Sequence, residues 1–259
     1  MQAKLSIIIV NWNTREQLLD CLRSIERTTK ENFILSSVVV VDNASIDNSI
    51  VLIEQEPFSF NVEIIKNAKN KGFAAACNQG AFLAKEADYL LFLNPDTKIY
   101  DKTLNNIFNF LPSVASDVGI IGVKQEDETG KIQPSCRAFP NLSRLFFEKT
   151  GLSVLFPKIS TKIHDFDYQK LSEVDQIMGS FFLVKQSVFK QLNGFSENYF
   201  VYYEEVDFSY RAYQSGYKSL YFPNAIIFHK GGGASEQVKD LRLFYSLRSS
   251  LIYAKKHFS

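Results

Sequence analysis

Residues 5–13 read Leu5-Ser6-Ile7-Ile8-Ile9-Val10-Asn11-Trp12-Asn13, an apolar run that stops abruptly in a polar cluster. A run without polar alternation is the mark of a strand covered on both faces. The pattern recurs at Val38-Val39-Val40-Val41, closed by Asp42-Asn43-Ala44-Ser45, and at Tyr89-Leu90-Leu91-Phe92-Leu93, closed by Asn94-Pro95-Asp96. Residues 62–65 supply a further strand. Helical stretches separate the runs. One begins at Thr14 and carries Leu18, Leu19, Leu22 and Ile25; another is capped by Ser45 or Asp47; a third is the Ala-rich segment 72–87. Alternation of this kind predicts an α/β fold, with a mainly parallel central sheet and helices on both faces. Ligands of such sheets bind at the carboxyl ends of the strands, and three polar clusters fall on that one edge. Asn, Asp and Pro also favour turns in their own right. Their coincidence on one edge predicts a nucleotide crevice.

Working outward, the composition excludes several classes. Lys+Arg 29 against Asp+Glu 28 leaves a net charge of +1, which gives no sign of a nucleic-acid partner. Three widely spaced cysteines, Cys21, Cys77 and Cys136, make neither a disulfide framework nor a zinc spacing, so a reducing, cytoplasmic setting fits. No apolar run approaches the roughly 20 residues of a membrane-spanning helix, and residues 1–4 lead straight into the first strand rather than a secretory signal. The expected organisation is one domain over 1–259: a ligand-binding half at 1–123, a catalytic half at 124–238, and a C-terminal amphipathic helix at 239–259. Residues 124–175, rich in Pro and aromatics, read as an excursion. Order returns at 174–184, followed by a helix from Gln186, a helix from Glu204 to Ser215 stopped by Gly216, and two short strands, 218–222 and 225–228.

The candidate chemistry is carboxylate-based. Asp96 sits behind a proline at a strand end. His229 follows the last strand and precedes Gly231-Gly232-Gly233, which reads as a lid or as a simple turn. One carboxylate and one imidazole suit Mn²⁺ or Mg²⁺ when phosphates and waters complete the shell. Each residue alone would more simply be a turn carboxylate or a hydrogen-bonded histidine. Glu204, Asp207 and Arg211 share a helical face, with Asp207 and Arg211 spaced for an ion pair. Glu205 lies about 100° away, free to act as a general base, with its pKa raised by burial among tyrosines and acids. Lys69 and Lys71, before the Ala-rich helix, carry a weak phosphate signal, since no P-loop pattern is present.

The segments 6–13 (SIIIVNWN), 39–47 (VVVDNASID), 70–80 (NKGFAAACNQG), 91–97 (LFLNPDT) and 179–211, followed by Ile227-Phe228-His229, together resemble the family 2 glycosyltransferases, and within them the bacterial rhamnosyltransferase-like members. The resemblance implies a GT-A fold and inverting transfer from a nucleotide-diphospho-sugar, dTDP-rhamnose or a UDP-sugar, to a glycan or lipid-linked acceptor. It assigns Val10, Asn11, Trp12 and Asp42 to the nucleoside, and Asn70, Gly72, Asn78 and Asn94 to the rest of the donor. Asp96 and His229 take the metal, and Glu205 takes the role of base, with Glu204 and Asp207 as rivals. Two departures stand out: Asn94 replaces the first aspartate of the family's DxD motif, and the base is Glu rather than Asp.

The final helix is basic and amphipathic, with Leu241, Phe244, Tyr245, Leu247, Leu251 and Ile252 set among Lys239, Arg242, Arg248, Lys255 and Lys256. It reads most simply as a helix packed on the domain with a solvated outer face, and otherwise as one in peripheral contact with an anionic membrane. Two other classes would leave different marks. A non-catalytic nucleotide-sugar-binding module would lack a base or metal residue. A nucleotidyltransferase would carry glycine in its first loop, here Asn11-Trp12-Asn13-Thr14-Arg15.

Overall fold

The computed structural model describes residues 2–84, 86–231 and 239–258. Along the chain run β1 (Ala3–Asn11), α1 (Glu16–Glu26), β2 (Phe33–Asp42), α2 (Ser49–Glu54), β3 (Val62–Lys66), α3 (Phe73–Leu83), β4 (Tyr89–Leu93), β5 (Thr97–Ile99) and α4 (Thr103–Phe110). There follow β6 (Val118–Glu126), β7 (Ile132–Gln133), β8 (Cys136–Arg137), α5 (Leu142–Lys149), β9 (Ser172–Val174), β10 (Gln176–Ile177) and β11 (Phe181–Lys185). The chain closes with α6 (Gln186–Gln191), α7 (Glu204–Gln214), β12 (Lys218–His229) and α8 (Lys239–Phe258).

The main sheet has the order β3-β2-β1-β4-β11-β6-β12-β5. Strands β3, β2, β1 and β4 pair in parallel, and β6 pairs in parallel with β12. Antiparallel β11 lies between β4 and β6, so those two point the same way and only β11 and β5 oppose the rest of this path. The mainly parallel sheet expected from the sequence is therefore present. The strand order reverses beside β1, where sheets of this kind open a crevice.

Side-chain alternation explains why the strands carry no polar stripe. Leu5, Ile7 and Ile9 enter one core with Leu18 and Leu22 of α1, Ile50 of α2 and Leu104 of α4. Ile8 and Val10 enter the opposite core with Ala74 and Cys77 of α3, Val188 of α6 and Phe208 of α7. The small residues of α3 let it approach closely: a Cβ at Gly80 would stand 2.5 Å from Ile8 Cγ2.

Several boundaries differ from expectation. Helix α1 starts at Glu16 rather than Thr14, because Arg15 holds φ 50. Helix α3 ends at Leu83 rather than 87. The two short strands of the second half are one strand, β12, whose pairing with β6 slips between Phe222 and Ile226, around Pro223. The expected boundary at 123/124 falls inside β6, so the two halves share a strand. Helix α8 does pack on the domain, as its simplest reading expects: Tyr253 is fully buried with Leu145, Tyr199 and Val206. Gly232 and Gly233 lie outside the described residues.

Replacing Gly80 by alanine should push Ile8, whose branched side chain has no free rotamer in the core, and lower stability by about 1–3 kcal/mol. Urea denaturation checks this. The midpoint falls, while the slope stays that of the wild type.

Candidate active site

Strand β4 ends at Leu93, and the chain turns through Asn94-Pro95-Asp96 into β5. Thr97 donates its N–H and its hydroxyl to the Asn94 carbonyl, which fixes the turn. Because β5 pairs antiparallel with β12, Thr97 stands opposite His229, and Lys230 N–H donates to the Asp96 carbonyl at 3.1 Å. Asp96 Oδ2 and His229 Nε2 are 3.6 Å apart in a nearly closed setting. His229 Nδ1 is buried with no hydrogen-bond partner among the described residues. One hard oxygen and one imidazole so placed fit a divalent ion that draws its other ligands from phosphate and water. No group of three or more His, Cys, Asp or Glu side chains able to hold a metal occurs among the described residues.

The first two strand ends are fastened to each other. The buried Asn11 amide donates to Asp42 Oδ1 at 2.8 Å, Ser45 Oγ at 3.0 Å and Ser49 Oγ at 2.8 Å, and its oxygen accepts from Thr14 Oγ1. Its backbone carbonyl accepts from Asn43 N–H. Asn11 therefore holds Asp42 in place with its amide N–H groups already engaged. The side chain of Val10 is likewise in the core. Trp12 stays partly exposed at the mouth. Asp42 is 6% exposed; one oxygen takes the Asn11 amide and the other takes Ser45 N–H, leaving acceptor capacity on each. Asn43 donates to the Gly72 carbonyl, and Asn70 Oδ1 accepts Gly72 N–H. Gly72, at φ 88, is required: a Cβ would stand 2.5 Å from the Phe200 carbonyl oxygen. Asn78 departs from its expected place on the donor. Its amide bonds the N–H and C=O of Phe195 and the Glu197 carboxylate, clamping the turn before the helix that carries Glu204 and Glu205.

Helix α7 follows two non-glycine residues in the left-handed region, Tyr202 at φ 67 and Tyr203 at φ 72. Such residues cost about 1–2 kcal/mol each and tend to cluster where a side chain must be aimed. Three acids then occupy the first turn, where the helix dipole favours them. Their environments differ. Asp207 is fully buried: Oδ2 accepts from Arg211 at 2.7 Å, while Oδ1 takes Lys256 at 2.7 Å, His257 at 2.8 Å and Tyr199 at 3.3 Å. Burial alone would raise its pKa, yet the Lys256, Arg211 and His257 contacts outweigh burial and hold it below the usual carboxylate range. As a rival base Asp207 is corrected to an anchor, since a carboxylate gripped by three bases cannot take up a proton usefully. Burial pushes Glu204 well above the ordinary value, with the Glu205 charge adding to it. Glu205 is raised by burial too, tempered by its own backbone N–H and by the Arg137 charge. Both have an oxygen buried without a partner among the described residues. Glu204 is buried at 5% exposure, and the charges of both Glu204 and Glu205 oppose ionisation of Cys77 on α3. Glu205 lies over Gly179, whose Cβ, if present, would stand 3.8 Å from Glu205 Cγ.

These parts converge through two backbone bonds. Asn94 N–H donates to the Ser180 carbonyl at 3.1 Å, setting the metal-side turn next to Gly179 and therefore next to Glu205. Phe73 N–H donates to the Phe200 carbonyl at 2.6 Å, tying the start of α3 to the segment that leads into α7.

Residues 6–192 match the sequence model described as "Glycosyl transferase family 2". The chain is a family 2 glycosyltransferase. It is 28% identical over 239 residues, 87% of this chain and 75% of the relative, to the N-acetylglucosaminyl-diphospho-decaprenol L-rhamnosyltransferase of Mycobacterium tuberculosis. It is 29% identical over 154 residues to Rhamnosyltransferase WbbL of Escherichia coli K12, covering 60% of this chain and 56% of that one. Among solved structures, the mannosyltransferase of Pyrobaculum calidifontis in complex with GDP-Man and Mn²⁺ superimposes with a TM-score of 0.62 at 16% identity over 94% of this chain and 62% of that one. Staphylococcus aureus TarS 1-349 gives 0.61 at 20% identity, over 88% and 61%. At those identities the likeness shows the fold, and it is the GT-A fold. Sequence reading of this glycosyltransferase missed Arg137, Gly179, Lys256 and His257. Arg137 and Gly179 come from irregular segments with no periodicity to mark them. The basic pair, Lys256 and His257, was visible as charge on α8, without its partner.

The raised Glu205 pKa has a stability consequence. Folding favours the protonated acid, so the contribution is fullest below the unfolded carboxylate pKa of about 4.3 and is lost as pH rises through the folded value. Glu205→Gln should therefore melt higher than wild type at pH 7–8, with the gap closing toward pH 4. Thermal unfolding across that range checks it; a gap independent of pH would contradict the raised pKa.

Proposed function

We propose that this glycosyltransferase moves a sugar, rhamnose from dTDP-rhamnose or the sugar of a UDP donor, to a hydroxyl of a growing cell-surface glycan or lipid-linked acceptor. The observation that carries the reading is the junction at Ser180. There the Asn94 turn bearing Asp96 meets Gly179 and Glu205, so a leaving-group site and a base share one crevice. The names of the mycobacterial and E. coli relatives support rhamnose, and the first supports a lipid diphosphate acceptor. Residues 1–123 contribute the donor side and 124–238 most of the acceptor side. A lipid-linked acceptor would bring the enzyme to the cytoplasmic face of a membrane.

Asp42, steadied by Asn11, accepts from the nucleobase, with Trp12 at the pocket mouth and Asn70, Gly72 and Asn94 along the donor. Asp96 and His229 would hold a Mn²⁺ or Mg²⁺ ion, which when bound neutralises charge on the departing nucleoside diphosphate. Asn94, in place of a second acid, lowers the charge of that site. Glu205 takes the proton of the acceptor hydroxyl, whose oxygen attacks the anomeric carbon from the side opposite the leaving group and inverts it. Burial raises both acids, and the Glu205 charge raises Glu204 further, so the pair resists ionising together and one of the two keeps its proton. Holding both substrates in one crevice supplies much of the remaining acceleration.

Calorimetry with UDP, dTDP and GDP, with and without Mn²⁺, separates these roles. Asp96→Ala should lose metal-dependent binding of the preferred nucleotide. Glu205→Gln should bind it as wild type does while turnover falls about 100-fold or more. Unchanged turnover in Glu205→Gln would move the base elsewhere, and nucleotide binding indifferent to Asp96 would remove the metal role.

A further inference from the structure

Helices α5 and α8 pack on each other beside the catalytic helix. Leu145 and Tyr253 share a buried cluster, and Lys149 Nζ donates to Ser246 Oγ at 2.8 Å. Outside that contact the two helices turn apolar side chains to solvent. On α5 and the turn after it, Phe146 is 58% exposed, Val154 83% and Leu155 71%; on α8, Leu243 is 65% and Leu251 69% exposed. Leu243, Leu247 and Leu251 form one stripe at i, i+4, i+8. Tyr245 stacks on Phe200, and Ser246 faces α5. Leu247, a further 100° around the helix, leaves on the side away from Phe200, next to the exposed face of α5.

The charge of these segments sets them apart from a chain that is otherwise near neutral. Residues 142–162 and 239–258 hold nine lysines and arginines and two acids, Glu148 and Asp240. Glu148 is turned inward, accepting from Ser160 Oγ and from the N–H and hydroxyl of Thr161. Arg242, Arg248 and Lys158 are exposed around the apolar stripe. No helix among the described residues is long and apolar enough to cross a membrane.

We infer that the joint outer face of α5, residues 152–156 and α8 docks on an anionic lipid surface, with the apolar side chains in the interface and the cations on the headgroups. Apolar area interleaved with positive charge is what such a surface binds. A second copy of the chain fits less well: a two-fold contact through this patch would set arginine against arginine. The face borders the chemistry, since Lys149 Nζ lies 5.6 Å over the Tyr203 ring, one residue before Glu204, and Lys256 and His257 of α8 hold Asp207. A lipid-borne acceptor would thus be presented beside Glu205. The inference deepens the proposed lipid-linked acceptor and rests on it only for its purpose, because its test needs no turnover.

The full chain is sedimented with sucrose-loaded vesicles of phosphatidylcholine, with and without phosphatidylglycerol. Wild type should partition onto the anionic vesicles. Val154→Ser/Leu155→Ser, and separately Leu247→Gln/Leu251→Gln, should lose roughly tenfold or more of that binding, and Arg242→Glu/Arg248→Glu likewise, with unchanged circular dichroism and nucleotide binding. Absence of vesicle binding by wild type would overturn the docking face, as would variants that bind undiminished. So would a dimer in solution that the same substitutions dissolve. Turnover on a soluble acceptor that survives a failed vesicle assay leaves the transferase reading standing; vesicle binding by a chain without turnover does the reverse.

Discussion

The antiparallel pairing of β4 with β11 is the constraint on which the site depends. Phe181 stands opposite Leu93, so the end of the last parallel strand of the first half lies beside the beginning of β11. A parallel neighbour would have put its carboxyl end there, and another donor-side loop with it. The antiparallel one puts Gly179 and Ser180 there instead, and Gly179 is the floor beneath Glu205. A single change of strand direction therefore brings a strand-end aspartate and a helix-borne glutamate, more than a hundred residues apart in sequence, to one crevice.

Around that seam the polar groups fall into those that hold and those that remain available. Asn11, Asn43, Asn78, Arg211 and Asp207 hold. Arg211 alone bonds Asp207 and the Leu192 and Gly194 carbonyls, locking α7 to the turn that Asn78 grips from the other side. Buried polar groups of this sort repay their desolvation only when fully bonded, and these are. Asp96, His229, Glu204 and Glu205 are the contrast: they are sparsely bonded, and His229, Glu204 and Glu205 each have a buried atom without a partner among the described residues. That division between a satisfied frame and an unsatisfied centre is what an active site on a rigid scaffold requires.

The parallel half was legible in the sequence because strands buried on both faces are written as uninterrupted apolar runs, and their ends as polar clusters. Asp96 and His229 stand out in the sequence because each lies where a strand ends, and Glu205 because it lies in the first turn of a helix behind a run of tyrosines. What was hidden depends on long-range contact. Asp207 looks like Glu205 in sequence; only Lys256 and His257, some fifty residues on, show that it is an anchor. Asn11 looks like a ligand of the crevice and is instead the brace behind Asp42. The split of β12 into two came from Pro223, which shifts the register without ending the strand. β7, β8, β9 and β10 are two or three residues long, too short for any periodicity to reveal, and with them went Arg137.

On the proposed function, the Ser180 junction joins the two halves into one site. Its most direct test is a crystal of the protein grown with a nucleoside diphosphate and Mn²⁺, read by the anomalous signal of the metal. One manganese peak is expected beside Asp96 and His229, with the diphosphate next to it, the nucleobase at Asp42 and Glu205 lining the sugar position. A nucleotide bound with its phosphates away from Asp96, or manganese held elsewhere while the Asp96–His229 pair stays bare, would contradict it.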